Sequence, residues 1–156
     1  MLRYATFLYV VFAVGSPIDV YAHCQVPCGI YDDVARVKQM REDVVTISKA
    51  VDQINNLAQK KSAQDQNQFV RWVMTKEQHA ERIIRTISDY FLAQKIKPVA
   101  SKEKKEYAQY LDMLARHHAV MVAAMKCKQG SGEKEVKNLG EAISEIEGFW
   151  IVSTGR

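Results

Sequence analysis

The chain has 156 residues, of which 47% are hydrophobic and 26% are charged, and this balance fits one compact domain rather than a disordered segment. The formal net charge of +4 is spread along the sequence without a run of five like charges, and no nucleic-acid-binding motif is present, which argues against a nucleic-acid partner. A chain of this length buries enough surface to fold without disulfide bonds, so its cysteines are available for other roles.

The first 22 residues are typical of a processing segment: MLR gives a positive start, YATFLYVVFAVG an apolar run, and VYA a small-residue stop. The run is shorter than the about 20 apolar residues that span a bilayer. We therefore expect residues 1–22 to be a signal peptide or leader that a leader peptidase removes after Ala22, leaving a domain of residues 23–156 that begins at His23. This predicts export, secreted or periplasmic, with no membrane contact in the mature form. A cytoplasmic protein with a trimmed propeptide is the alternative.

The stretch HCQVPCGIY follows the leader and places a histidine beside the first of two cysteines. Once His23 is the first residue, its α-amine, its imidazole, the Cys24 amide nitrogen and the Cys24 thiolate can surround one ion, and Cys28 can complete the plane if Pro27 and Gly29 turn the chain back. Two nitrogens and two thiolates in a plane suit copper(II) or nickel(II) rather than zinc. A Cys24–Cys28 disulfide is the alternative interpretation.

The next segment predicts an amphipathic helix from about Asp32 to Gln59. Its apolar residues recur at three- and four-residue steps, which places them on one side of a helix. They are Val34, Val37, Val44, Ile47, Val51, Ile54 and Leu57.

A second helix is predicted after the polar run KKSAQDQNQ, with Ser62 or Asp65 as its N-cap, and it ends before Pro98. Its expected buried side consists of Phe69, Trp72, Val73, Ala80, Ile83, Ile87, Tyr90 and Phe91.

A third helix is expected to begin at Ser101, with Glu103 in its first turn, and to end at QGSG. The predicted buried residues of this helix are Tyr107, Leu111, Leu114, Met121, Val122 and Met125. His117 and His118 point about 100° apart, so at most one can face the core, and we interpret Cys127 as a small buried or half-exposed residue.

The last helix is predicted from about Glu133 to Trp150. Its inward residues are Val136, Leu139, Ile143, Ile146, Phe149 and Trp150. Four amphipathic helices with short loops predict an all-α, up-down-up-down four-helix bundle with an N-terminal metal-binding hook. A ferritin-like di-iron site is excluded because no histidine has a glutamate three residues before it, and Glu77 lies only two positions before His79.

The segment HCQVPCGIYD closely resembles the hook of nickel superoxide dismutases, whose pattern is His-Cys-x-x-Pro-Cys-Gly-x-Tyr. TKEQHAE (residues 75–81) and SDYF (residues 88–91) are also similar to segments of that family. The resemblance covers residues 23 to 156 and implies a homohexamer of four-helix bundles, each with one nickel ion, matured by cleavage before the histidine.

By resemblance, the Cys24 and Cys28 thiolates, the His23 amine and the Cys24 amide hold nickel in a plane, and the His23 imidazole is the axial ligand of the oxidised ion. Tyr31 would gate the open face, and Tyr90 would support it by hydrogen bonding. The implied reaction converts superoxide to oxygen and hydrogen peroxide, with nickel alternating between its +2 and +3 states.

The sequence departs from the family pattern around the axial histidine. Where family members have an arginine, this chain has His79, and the place of a first-helix glutamate that orients the imidazole holds Lys38 or Gln39. For the family's loop lysine, Lys95 and Lys97 are both candidates.

Two other functions are compatible with the residues. One is an exported, non-enzymatic helical interaction domain with a Cys24–Cys28 disulfide, which predicts a chain two hydrogens lighter and no metal. The other is a metal carrier, which predicts tight metal binding without superoxide turnover.

Overall fold

A computed structural model describes residues 32–151 and shows an all-helical fold in that range. Helix α1 spans Asp33–Leu57, α2 spans Ala63–Arg85 and continues into a π-helical segment at Thr86–Lys95, α3 spans Lys104–Gln129, and α4 spans Glu133–Ile151. None of these helices combines the length and apolarity needed to cross a bilayer. The leader predicted at residues 1–22 and the predicted hook lie outside the described residues.

The four helices form a closed bundle in which each packs against two neighbours. α4 packs on both α3 and α1, and α2 packs on both α1 and α3. Neighbours run in opposite directions, since Arg41 near the start of α1 bonds Glu147 near the end of α4, whereas Asn55 near the end of α1 bonds Ser131 just before α4. The predicted up-down-up-down bundle is confirmed.

Two side chains set the starts of the first two helices. The Asp32 carboxylate accepts hydrogen bonds from the Val34 and Ala35 amides at 2.8 and 3.4 Å, and the Ser62 hydroxyl accepts one from the Asp65 amide at 3.1 Å. Both contacts satisfy amides that have no partner within the first turn of a helix. Ser62, one of the two predicted caps, is therefore the residue that begins α2.

The end of the second helix widens into the π-helical segment. The Ile96 amide donates to the Phe91 carbonyl five residues earlier at 2.9 Å, which is the hydrogen-bond spacing of a π-helix. Tyr90 and Phe91 lie in this segment and are both buried. π-Helical turns occur frequently at functional sites, and this one carries a residue of the predicted site.

The predictions for α3 were wrong at two points. Residues 101–102 form a turn, and α3 begins at Lys104 after Glu103, so Ser101 is not its N-cap. Three residues expected inside, Leu111, Val122 and Met125, are instead 40–46% exposed. The buried residues of α3 are His117, Val120, Ala123, Ala124 and Cys127.

The error on α3 has a physical cause. This helix has apolar residues on two sides, and periodicity alone cannot tell which side packs against neighbouring helices. The side with small residues, Ala123, Ala124 and Cys127, faces the core, where it fits between larger side chains such as Phe91 and Ile143. Tyr107, Leu114 and Met121 are half-buried at the border between the two sides.

The buried sides predicted for the other three helices are largely confirmed. In α1 the buried residues include Val37, Ile47, Val51, Ile54 and Leu57, with Val34 and Val44 half-buried. In α2 and the π-helical segment, Ala80, Ile83, Ile87, Tyr90 and Phe91 are buried, and Phe69, Trp72 and Val73 are half-buried. In α4, Val136, Leu139, Ile143, Ile146 and Trp150 are buried, and Phe149 is half-buried.

Candidate functional site

The predicted metal ligands and the predicted gate all precede the described part of the chain. His23, Cys24, Cys28 and Tyr31 lie outside residues 32–151, so their arrangement remains a prediction from the sequence. Between residues 32 and 151, no cluster of three His, Cys, Asp or Glu side chains is placed to hold a metal ion. The donor set at residues 23–28 fits a square-planar metal on chemical grounds, because it combines thiolates with nitrogen donors.

The structure does show where this segment joins the bundle. Asp32 caps α1, and the next residue, Asp33, accepts a hydrogen bond from the Tyr90 hydroxyl at 2.5 Å. Lys95 pairs with the same Asp33 oxygen at 2.9 Å, and its ammonium lies 5.9 Å from the centre of the Tyr90 ring. Tyr90 and Lys95, both on the π-helical segment, therefore fix the start of α1.

The Tyr90 hydroxyl keeps its proton in this environment. Burial raises the pKa of Tyr90 above its ordinary value, and the hydrogen bond to the Asp33 carboxylate raises that pKa further. The hydroxyl is consequently a hydrogen-bond donor at every physiological pH. Of the two lysine candidates, Lys95 contacts Tyr90 and Asp33, whereas Lys97 is exposed on the loop that follows.

A surface cleft of about 460 Å³ opens beside Tyr90, between the first turns of α1 and the second half of α2. We call it the arginine cleft because three guanidinium groups contribute to its walls. Its lining residues are Arg36, Gln78, Glu81, Arg82, Arg85, Thr86, Asp89 and Tyr90. Two of these guanidinium groups are already paired, Arg82 with Asp43 at 3.0 Å and Arg85 with Glu81 at 3.1 Å.

One of these arginines belongs to a buried polar cluster between α1 and α2. A single oxygen of Asp43 contacts the His79 Nδ1 atom at 2.7 Å and the Arg82 guanidinium at 3.0 Å. Asp43 is only 1% exposed, and burial raises the pKa of its carboxyl against the lowering effects of His79 and Arg82. Within residues 32–151 its second oxygen has no hydrogen-bond partner.

The structure thus shows which first-helix residue pairs with His79. Lys38 is exposed, and the Gln39 amide donates to Glu42 at 3.5 Å. Asp43, one turn beyond Gln39 on α1, is the acidic partner of His79. The sequence carried a signal for this residue, because Asp43 lies at a three- or four-residue step from Met40 and Ile47 and so falls on the buried side of α1.

A second buried charge was also missed by the sequence patterns. Lys76 of α2 is 4% exposed, and its ammonium donates to the carbonyls of Cys127 and Lys128 at 2.6 Å each. A cation is favourable there because the last carbonyls of α3 carry the negative end of the helix dipole. Lys76 falls between Trp72 and Ala80 on the inward side of α2, which is the pattern that could have identified it.

His117 and Cys127 of α3 are buried and have structural roles in this fold. His117 is buried and His118 is exposed, which agrees with the expectation that two neighbouring helix residues, pointing about 100° apart, cannot both face the core. The Nδ1 atom of His117 donates to the Met113 carbonyl at 2.7 Å, and its Nε2 atom accepts from the Trp150 indole at 3.1 Å. Burial lowers the pKa of His117, so the neutral ring is the favoured form. Cys127 is buried, as expected.

Comparison with known proteins identifies one family. The sequence model for nickel-containing superoxide dismutase matches residues 18–153, which includes the hook and all four helices. Neither the curated proteins nor the solved structures that were compared with the chain gave a match.

Proposed function

Because the chain belongs to the nickel-containing superoxide dismutase family, it is an oxidoreductase that acts on superoxide with a nickel cofactor, and we propose that residues 23–31 form its metal centre. The observation that carries this proposal is that HCQVPCGIY lies within the matched range and directly before the anchored start of α1. The proposed ligands are the His23 amine and imidazole, the Cys24 amide and thiolate, and the Cys28 thiolate.

A nickel ion held by these ligands would supply the one-electron chemistry between its +2 and +3 states: one superoxide would give up an electron and leave as oxygen, and another would take up an electron and two protons and leave as hydrogen peroxide. The protein contributes the donor atoms that make both oxidation states of nickel accessible, because anionic thiolate and amidate ligands favour the higher one. Proteins tune a metal through such ligands and through the groups that hydrogen-bond to them.

Two tyrosines shape the substrate's access in this proposal. Tyr31, one residue before the α1 cap in the sequence, would restrict access to the metal. Tyr90 keeps its proton and donates a hydrogen bond to Asp33, so it holds the first turn of α1, two residues after Tyr31 in the sequence. Cationic side chains nearby, including Arg36 and Lys95, attract the superoxide anion over a distance that salt reduces.

Substitution of the cysteines tests the metal centre. Cys24→Ser and Cys28→Ser should each abolish nickel-dependent superoxide dismutation, because each removes a thiolate ligand. Cys127→Ser is the matched control, since Cys127 is buried far along α3 and is not a proposed ligand. Nickel content by elemental analysis and superoxide consumption by stopped flow are the measurements. Full dismutase activity in Cys28→Ser would rule out this ligand set.

Maturation is part of the proposal. Removal of residues 1–22 by a leader peptidase frees the His23 amine, and the apolar leader favours export to the periplasm or the exterior. Sequencing the N-terminus of active protein from its native source checks this step. Active material that still carries residues before His23 would contradict it.

The exposed apolar side of α3 supports assembly into the proposed homohexamer. Leu111, Val122 and Met125 are 46%, 40% and 42% exposed and share one side of the helix, together with His118. Contiguous exposed apolar side chains mark interaction surfaces. Val122→Asp should therefore lower the mass measured by light scattering, whereas Lys137→Asp, at an exposed position of α4, should leave that mass unchanged. An unchanged mass for Val122→Asp would exclude α3 from the interface.

A further inference from the structure

One carboxylate of α1 holds two side chains of the π-helical segment. The Asp33 Oδ1 atom accepts a hydrogen bond from the Tyr90 hydroxyl at 2.5 Å and pairs with the Lys95 ammonium at 2.9 Å. The Asp33 side chain is 15% exposed and the Lys95 side chain 36%, so the pair lies at the surface rather than in the core. Asp33 is thus the point at which Tyr90 and Lys95 converge.

Asp33 is also close to the proposed metal ligands along the chain. It follows Cys28 by five residues, which extend to at most about 18 Å. This limit holds for any path that the chain takes between Cys28 and Asp33. A unit charge at such a distance acts on an approaching anion at low salt, because the screening length is about 30 Å at 10 mM salt and about 8 Å at 150 mM.

The charges of Asp33 and Lys95 have opposite effects on superoxide. The Lys95 ammonium attracts this anion, whereas the Asp33 carboxylate repels it. Because the two groups are 2.9 Å apart, an anion several times farther away experiences them almost as a neutral pair. Asp33 therefore reduces the attraction that Lys95 exerts on the substrate.

The same carboxylate controls the Tyr90 hydroxyl. A carboxylate can only accept hydrogen bonds, so the Tyr90 hydroxyl must point its proton at Asp33. Burial raises the pKa of Tyr90, and the hydrogen bond to Asp33 raises that pKa further; the charge of Asp32 acts in the same direction and that of Arg36 in the opposite one. Asp33 thus fixes both the direction of the hydroxyl and its protonated form.

We propose that Asp33 is a positioning residue for superoxide dismutation, which orders the Tyr90 hydroxyl and the Lys95 ammonium while weakening the attraction of the site for its anionic substrate. This inference rests on the proposed function, since it takes the substrate and the metal ligands from there. It has two separable parts. The charge of Asp33 slows the encounter with superoxide, and its acceptor oxygen orders Tyr90 and Lys95.

Asparagine at position 33 tests the effect of the charge. Asp33→Asn removes the charge but keeps an oxygen that can accept from Tyr90. Its kcat/KM for superoxide, expressed per bound nickel, should rise about 1.5- to 2-fold at about 10 mM salt and return to the wild-type value at about 0.5 M salt. Lys95→Gln should lower kcat/KM by a similar factor, and the double variant should resemble wild type. Asp52→Asn, at an exposed position about 28 Å farther along α1, should have much less effect.

Alanine at position 33 tests the positioning. Asp33→Ala removes both the charge and the acceptor oxygen, so its kcat should be lower than that of Asp33→Asn. A second readout needs no nickel: NMR of metal-free protein with isotope-labelled tyrosine follows the ionisation of Tyr90, whose signal is assigned with Tyr90→Phe. Tyr90 should lose its proton at a lower pH in both Asp33 variants than in wild type. Asp52→Asn should leave this titration unchanged.

The outcomes distinguish this inference from the proposed function. An active Asp33→Asn protein whose kcat/KM does not rise at low salt, or whose rise persists at high salt, would overturn the effect of the charge. Equal kcat in the Asn and Ala variants, or an unchanged Tyr90 titration, would overturn the positioning role. Nickel-loaded wild type without dismutase activity would overturn the proposed function, and the tyrosine titration would still decide whether Asp33 controls Tyr90.

Discussion

Asp43 in the α1–α2 half of the bundle and His117 in the α3–α4 half are both almost completely buried, but their polar atoms are paired very differently. His117, between α3 and α4, has a pKa lowered by burial, and both of its ring nitrogens are paired. Asp43, between α1 and α2, contacts His79 and Arg82 through one oxygen, while within residues 32–151 the other oxygen has no partner. Full pairing of a neutral group stabilises a core, whereas partial pairing of a buried charge costs free energy.

The difference coincides with the position of the candidate site. The α3–α4 half holds its histidine among Phe91, Phe149 and Trp150, which is a purely structural environment. The cluster around Asp43 connects through Arg82 to the arginine cleft. Proteins accept local departures from optimal stability mainly at functional sites, and the α1–α2 half shows this pattern.

Of the substitutions that test this comparison, replacement of His117 should lower the free energy of unfolding the most. His117→Ala leaves a cavity and removes the acceptor for the Trp150 indole, so we expect the free energy of unfolding to fall by about 3 kcal/mol. His118→Ala, at the exposed neighbouring position, should change it by less than about 0.5 kcal/mol. Urea unfolding followed by circular dichroism measures both. Similar losses for the two variants would show that His117 is not a structural centre.

Asp43→Asn should have a smaller effect, about 1 to 2 kcal/mol. The asparagine oxygen can still accept from His79, the Arg82 side chain can turn toward water, and the cost of burying a charge disappears. Asp52→Asn, on the exposed side of α1, is the control. If urea unfolding shows a greater loss for Asp43→Asn than for His117→Ala, the two halves do not differ in the way described above.

The smallest expected effects concern how the free energy of unfolding depends on pH. His117 and Asp43 contribute to this dependence with opposite signs. The pKa of His117 is lowered by burial from 6.5, so the unfolded chain binds more protons below about pH 6.5 and stability falls as the pH drops further. The pKa of Asp43 is raised from 3.8, so the folded chain binds the extra proton and stability rises as the pH falls through the folded pKa. Each contribution is at most about 1.4 kcal/mol per pH unit.

Difference curves isolate these contributions. The free energy of unfolding is measured from pH 4 to pH 7.5 for wild type, His117→Gln and Asp43→Asn. His117→Gln should lose the decline that begins below about pH 6.5, and Asp43→Asn should lose the gain on the acidic side. A wild-type decline that persists unchanged in His117→Gln would mean that another group causes it.

The sequence predicted the helices well because their apolar residues recur with helical spacing and because residues such as Ser62 and Pro98 mark their limits. It failed on α3, where two apolar sides compete and only packing decides between them, so Leu111 was expected inside. It missed the π-helical segment because no residue pattern distinguishes a five-residue hydrogen-bond step from a four-residue one.

The residues of the candidate site also fall into some that the sequence could predict and others that it could not. The hook motif is local and chemically specific, so His23, Cys24 and Cys28 could be proposed from spacing alone. The Tyr90–Asp33 contact and the Asp43–His79–Arg82 cluster depend on which residues of different helices meet, and a single sequence does not encode that register visibly. Even so, Asp43 and Lys76 both lie on apolar stripes, and a polar residue in such a position predicts a buried polar contact.

The burial of Cys127 has a consequence for an enzyme that makes hydrogen peroxide. Burial raises the pKa of this thiol to about 11, so at pH 7 only about one molecule in ten thousand carries the thiolate that peroxide attacks. The same protonation makes Cys127 a poor nucleophile toward a disulfide, should Cys24 and Cys28 form one before metal binds. The fold thereby protects the Cys127 sulfur from the enzyme's own product.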